Sequence, residues 1–428
     1  MLRRRKIFYG WWMVLGCAIL NFINGGTFIY GFTTFFNPIR QTFGWTAAVT
    51  SIAFVFRGLE TGALELVVGL LVDRVGPRKL MLPGWIIAGL GFIWMSRIDS
   101  LWAFYGSFMV IAFGMSFGSF VTIDTALAHW FTKKRSRAMT LVRVGFGVSG
   151  ILVPLVALSI SQFGWRETAT FVGIALWVFG IPLSLLMRHK PSQYGYLPDG
   201  ETPEVMREPT TGPSPRSSRG ITEPDLSSSV TGFTAKAALR TRAFWLLSFA
   251  FFFQHIATGA IMVHIVPFLE SVKIRTEIAA TAVTGMTLSS LIGRLGFGFL
   301  GDFANKRYLI AIALTLQTIG VFIFSFVDAD RVWLIIPFLL TYAPGFGGTI
   351  PVRPALVADY FGTRNIGAIF GWMGFIGMLG GVASPVIAGW FFDVTGSYHL
   401  AWQIFALVTL PAIPLMLLAK PPRTEQEP

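Results

Sequence analysis

Apolar runs of roughly twenty residues, broken by short polar stretches, recur along the whole chain. The breaks place candidate helices near 8–32, 46–72, 80–97, 101–129, 138–161 and 168–188, and again near 244–269, 277–301, 308–327, 332–357, 366–391 and 400–419. At 1.5 Å per residue, such a run is long enough to cross about 30 Å of hydrocarbon. The interval from about Lys190 to Arg242 is different material. It contains PSPRSSRG and EPDLSSSV, rich in Pro, Ser, Gly and both charge signs, the composition of a flexible linker. The pattern predicts an all-α membrane protein of twelve transmembrane helices. Residues 1–190 would form one six-helix bundle, 191–242 a cytoplasmic linker, and 243–428 a second six-helix bundle.

Composition agrees with this. Hydrophobic residues make up 54% and charged residues 13%, where a soluble domain carries about a quarter charged. The formal charge of +13 does not point to nucleic acid, because the cations sit in short loops and form no continuous basic face. Their distribution orients the chain instead. With a cytoplasmic N-terminus, 24 Lys and Arg fall inside and six in the opposite loops, so both termini and the linker are expected in the cytoplasm of a bacterial inner membrane. The opening Arg3-Arg4-Arg5-Lys6 imitates a secretory signal, but the uncharged stretch 7–39 is too long for one and reads as a retained helix. Cys17 is the single cysteine, so no intrachain disulfide is available. There is no HExxH, GKS/T loop or CxxC, and no histidine cluster, which argues against an enzyme and against ATP-driven pumping and suggests neither metal nor cofactor.

The two halves echo one another. GLLVDRVGPRK at 69–79 returns as GFLGDFANKR at 298–307, and HWFTKKRSRA at 129–138 returns as DYFGTRNIGA at 359–368. Parallel repeats of this kind belong to transporters that rock two bundles around a central site. The first motif, through Gly69, Leu71, Asp73, Arg74, Gly76, Arg78 and Lys79, resembles the loop 2–3 motif of the major facilitator superfamily. Three further features are similar to its monocarboxylate and oxalate–formate branch: Tyr9-Gly10-Trp11-Trp12, Trp130-Phe131, and Asp359-Tyr360-Phe361-Gly362. The resemblance covers the chain apart from the linker and implies alternating access. Charges around Asp73, Arg74 and Arg78, beside the Gly76-Pro77 turn, read as a latch between helix ends, with Asp302 as a weaker counterpart.

Ionisable groups inside the spans cost about 3 kcal/mol each on insertion scales and are therefore functional candidates. They are Arg57, Glu60 and Glu65, Asp124, Arg143, His255 and His264, Arg294 and Arg353. The third, sixth, ninth and twelfth runs have none in their cores. Arg294 leads as the substrate residue, because a guanidinium grips a carboxylate bidentately, and the branch it resembles carries such an arginine here. Arg143, on one face with Gly147, Gly150 and Pro154, is a second anion contact or a gate. Arg57 and Glu60 are helix neighbours and read as a pair, with Glu60 a candidate for proton coupling. Arg353 is placed to snorkel. His255 and His264, nine residues apart, point to opposite sides; His264, beside Pro267, is the one expected in the cavity. Asp124 is the lone carboxylate best suited to proton coupling, since an anion arriving at a nearby arginine would alter its protonation. Asn21 and Asn24, with Cys17 and Phe28 on the same side, add a polar stripe to the cavity. The expected function is secondary transport of small organic anions, monocarboxylates first, by proton symport through alternating access in a monomer. Anion exchange, or export of a cationic or lipophilic compound, are the alternatives.

Overall fold

The first apolar run folds as one long rod with a break built into it. Helix α1 (Tyr9–Asn24) passes through a π turn (Gly25–Ile29) into α2 (Phe32–Phe43). The break coincides with a close crossing: a Cβ on Gly25 would lie 2.7 Å from Ser149 Cβ, and one on Gly26 2.6 Å from Leu152 Cβ. Only residues without side chains let the two backbones approach so nearly. The structure, a computed structural model, describes residues 8–55, 58, 68, 71–72, 75–118, 120–131, 134–189, 191–200, 233–301, 303–362 and 365–422.

Residues 47–55 are helical and return towards the end of the bundle that carries the chain termini. Then come α3 (Pro77–Met95), α4 (Leu101–Phe117), α5 (Phe120–Trp130), α6 (Arg135–Gly147), a 3-10 turn (Ser149–Ile151), α7 (Leu152–Phe163) and α8 (Trp165–Leu185). After short α9 (Ala235–Leu239), the second half runs through α10 (Arg242–Ser271), α11 (Thr276–Leu300), α12 (Lys306–Phe324), α13 (Ile335–Phe361), α14 (Ile366–Thr395), α15 (His399–Thr409) and α16 (Ala412–Leu418). Among the described residues there is no strand, and ten helical spans are long and apolar enough to cross a membrane. The expected second span falls largely outside the described residues. The third is present as α3 but opens with Arg78 and Lys79 and is not one of the ten. Large apolar side chains such as Leu155, Val178, Leu340 and Leu407 face outward, each more than half exposed, as contact with lipid requires.

The buried apolar cores follow the chain halves. One is built from residues 13–187 with Val263, and a second from 257–406 with Tyr30, Val153 and Ala157; a third, over 238–419, lies near the termini. The aromatic motifs of the sequence close the terminus-bearing end. Trp11 packs on Phe131 at 5.0 Å and Tyr9 on Trp130 at 5.6 Å, while Gly10 leaves room for Phe131. Both ends of the expected linker are folded onto these motifs. The Tyr196 ring packs tilted against Trp130 at 5.8 Å, Asp199 accepts a hydrogen bond from Lys134 N–H, and Phe233 N–H donates to Phe361 O. Aromatic side chains within the polar composition supply the burial that anchors them.

Candidate functional site

Arg294 stands where the two halves meet. Its neighbour Gly293 lies flush against the Pro344 carbonyl of α13, which turns the next residue away from the second half. The Arg294 guanidinium hangs over the Phe146 ring at 6.0 Å, with Nη1 3.5 Å from where a Cβ on Gly147 would stand. It is hydrogen-bonded to the Tyr30 side chain, beside the π turn, and feels the charge of Arg143. Its Nε has no hydrogen-bond partner among the described residues. Arg294 is thus a half-buried cation between helices of opposite halves, with one donor uncommitted among the described residues.

Arg143 and Asp124 form an ion pair from α6 to α5, Nη2 to Oδ2, with side chains 42% and 31% exposed. Asp124 therefore stands beside a guanidinium one step removed from Arg294. Asn21 is fully buried, its Nδ2 without a partner, and Asn24 Oδ1 is likewise unpartnered among the described residues. Cys17 and Phe28 sit in the first-half core, Cys17 against Met187 and Phe28 against Phe92 and Phe108.

The structure does not bring His264 to Arg294. It is fully buried near the opposite end, between α10, the 47–55 helix and α14. Nε2 lies 2.8 Å from Pro385 O and 3.1 Å from Ser51 Oγ, and Nδ1 lies 3.2 Å from the Tyr398 hydroxyl. A carbonyl only accepts, so Nε2 carries the proton and Nδ1 accepts from Tyr398; that tautomer is assigned from the network. Burial pushes the Tyr398 phenol above its ordinary range, keeping it a donor. Around this histidine the halves are stitched together. Thr33 Oγ1 donates to Val263 O at 2.8 Å, Asn37 Nδ2 donates to Glu270 Oε2, and Asp393 accepts from Ala47 and Ala48 N–H at 2.8 and 2.9 Å, capping the 47–55 helix. A hollow of about 440 Å³ lined by Asn37, Arg40, Glu270, Lys273 and Phe392 opens at that end.

The contacts between halves thin towards the termini. Thr284 donates to Gly150 O at 2.7 Å, and Gly58 abuts Val382. Beyond them, a Cβ on Gly296, Gly371 or Gly374 would meet no described atom within 4 Å. Arg294 thus lies at one edge of the region where described residues of the two halves meet. Gly76, at φ 88° before Pro77, caps α3 and packs against His189, and Arg78 is exposed. Glu60, Gly69, Asp73, Arg74 and Asp302, like Arg57 and Glu65, lie outside the described residues. Sequence reasoning passed over Tyr30, Ser51, Glu270 and Asp393. Glu270 and Asp393 carried the signal of carboxylates in helix ends, but their partners come from the other half of the chain.

A helical bundle of this kind, with its halves joined at one end and a cation at their junction, defines the class of multi-pass membrane transporters. The chain belongs to the Major Facilitator Superfamily, whose family model matches residues 14–341 and again 247–428. It is 27% identical over 427 residues to Monocarboxylate transporter 12 of Mus musculus, spanning 94% of this chain and 83% of that protein. It is 22% identical over 414 residues to the Oxalate:formate antiporter of Oxalobacter formigenes, spanning 95% and 91%. Among solved structures, the nucleoside transporter NupG superposes with a TM-score of 0.73 at 13% identity, covering 95% of this chain and all of that one. The protein is a transporter of this superfamily and not an enzyme.

Proposed function

We propose that this transporter carries small organic anions, monocarboxylates first among them, by proton symport through alternating access. In this reading twelve helices form two six-helix bundles, 1–190 and 243–428, joined by 191–242. The monomer sits in the inner membrane with both termini cytoplasmic. The observation that carries it is Arg294: a guanidinium at the junction of the halves, held by Tyr30 and Phe146, with Nε uncommitted. A carboxylate arriving there would gain a bidentate partner from one half while touching helices of the other. That is how binding comes to favour closure. Asp124 supplies the coupling. Paired with Arg143 next to Arg294, it would lose part of its counter-charge when an anion enters and take up a proton. Asn21 and Asn24 extend the polar wall of the cavity.

With the termini in the cytoplasm, the sealed end is the outer one, and the state described is open to the inside. His264, Glu270 and Asp393 then form the outer gate. Glu60 is the second candidate for proton coupling, and the Gly69, Asp73, Arg74, Gly76, Arg78 and Asp302 set would serve as the gating motif of the inner side. Exchange of organic anions is the second reading, favoured by the nearness of two guanidiniums, Arg143 and Arg294, which suits a doubly charged or larger acid.

Uptake of labelled lactate and pyruvate into proteoliposomes, with and without an inward proton gradient, tests this directly. Gradient-stimulated uptake should fall at least about tenfold in Arg294→Ala, the loss of one charge-assisted pair. Uptake that persists in this variant would remove Arg294 from the site, and absence of uptake by folded protein would leave only exchange or another substrate class. In Asp124→Asn, uptake of the anion should continue but lose its dependence on the proton gradient. An unchanged gradient dependence in that variant excludes Asp124 from coupling.

A further inference from the structure

A second arginine in the membrane, Arg353, makes no hydrogen bond or ion pair among the described residues. It projects from α13 over the Phe251 ring of α10, its guanidinium carbon 4.1 Å from the centroid, and its Nε is buried without a partner. His255, one turn along α10 from Phe251, is near enough to feel its charge. Such a cation costs several kcal/mol to hold away from water, and an apolar ring returns only about 1–2. The described titratable group that feels this charge, His255, is itself another nitrogen base. Nothing described at this place supplies the missing negative charge.

His255 narrows what would supply it. Its Nδ1 lies 2.6 Å from the Phe251 carbonyl, which can only accept, so Nδ1 carries the proton and Nε2 presents a lone pair. That nitrogen repels a carboxylate oxygen but takes a hydroxyl. Across from the ring is the bare surface of α14. A Cβ on Gly377 would stand 3.4 Å from Nδ1, and one on Gly374, a turn towards the termini, would meet no described atom within 4 Å. The α14 surface facing the imidazole thus carries no side chain at Gly377 or Gly374.

We propose that Arg353 and His255 form a second subsite, separate from Arg294, for a small carboxylate that also bears a hydroxyl. Arg353 takes the carboxylate and His255 Nε2 accepts from the hydroxyl. This rests on the anion-transport reading and deepens it: acids bound at Arg294 have a second stop on their way to the opening, and hydroxy acids are preferred there.

Phenylglyoxal modification of purified protein in nanodiscs, followed residue by residue with mass spectrometry, tests the subsite. The competing probes are sodium lactate and sodium propionate, which differ by one hydroxyl, with sodium chloride at equal ionic strength as control. Lactate should slow labelling of Arg353 about fivefold more than propionate does, the worth of one hydrogen bond. The protection should survive in Arg294→Gln, and the advantage of lactate should vanish in His255→Leu while propionate still protects. Equal protection by the two acids in the unaltered protein overturns the role of His255 without any variant. Loss of Arg353 protection in Arg294→Gln means one continuous site and overturns the separate subsite, as does an Arg353 that never reacts. Protection of Arg294 alone discards the subsite and leaves the transport reading standing; protection of neither arginine by either acid counts against both.

Discussion

Two glycines on one helix summarise how differently the ends of this transporter are built. Gly389 and Gly371 of α14 are 18 residues apart, five helical turns, and so share one side of the helix. At Gly389 a Cβ would press to 2.7 Å on the backbone of Ala47 and Ala48 in the other half, whereas at Gly371 it would meet nothing within 4 Å. Along the same stripe, Pro385 offers its carbonyl to His264, and Val382 touches Gly58. One edge of one helix thus runs from a hydrogen-bonded seam to a stretch without described neighbours. The lesson is that closure here depends on backbone-to-backbone approach and on polar groups satisfied across the seam. Apolar surface by itself is no guide, because both ends have plenty.

That contrast can be broken at its strongest point first. His264→Leu removes the Pro385, Ser51 and Tyr398 contacts together and strands the buried Tyr398 hydroxyl. It should lower stability by about 2–3 kcal/mol, read as earlier thermal unfolding in detergent. An unfolding temperature within error of the parent would show that the histidine is incidental to the seam. The paired substitutions Gly389→Ala and Gly371→Ala sharpen the comparison. The first overpacks the seam and should cost about 1–3 kcal/mol. The second should be neutral or gain up to about 1 kcal/mol from helix propensity. Similar losses in both variants would deny that the two ends differ. Smallest is Asp393→Ala, which removes an exposed cap worth about 1 kcal/mol from the 47–55 helix. Faster amide exchange confined to Ala47 and Ala48 is the expected reading; exchange unchanged there would mean the cap is not formed in solution.

The fold was legible because lipid leaves a simple code. Long apolar runs announced the helices, ten of which are long and apolar enough to span among the described residues. The aromatic motifs were legible as well, and the structure gives their reason: Trp11, Trp130 and Phe131 are one cluster. The cost of charge in a membrane singled out Arg294 and Asp124 as candidates, and the structure sets Asp124 beside an arginine, Arg143. His264 could not be placed, since a histidine next to a proline serves a cavity or a seam equally well until its partners are known. Those partners, Ser51 and Tyr398, are 213 and 134 residues away. Glu270 was missed for the same reason: it lies among polar residues at a helix end, and only Asn37, 233 residues distant, makes it a crossing point. Periodicity encodes which face of a helix is buried, but not which distant helix it will meet.

The π turn at Gly25–Ile29 has a further consequence, for register. A π turn uses one residue more than an α turn, so everything after it is rotated by about 100° from where an unbroken helix would set it. Thr33 and Asn37, which reach Val263 and Glu270, both lie downstream of that offset. Tyr30, which holds Arg294, is the first residue beyond the π turn. A chain one residue shorter at this spot would keep its hydropathy, its length in the membrane and its motifs. It would nonetheless turn its outer seam and the partner of its central cation to the wrong compass bearing.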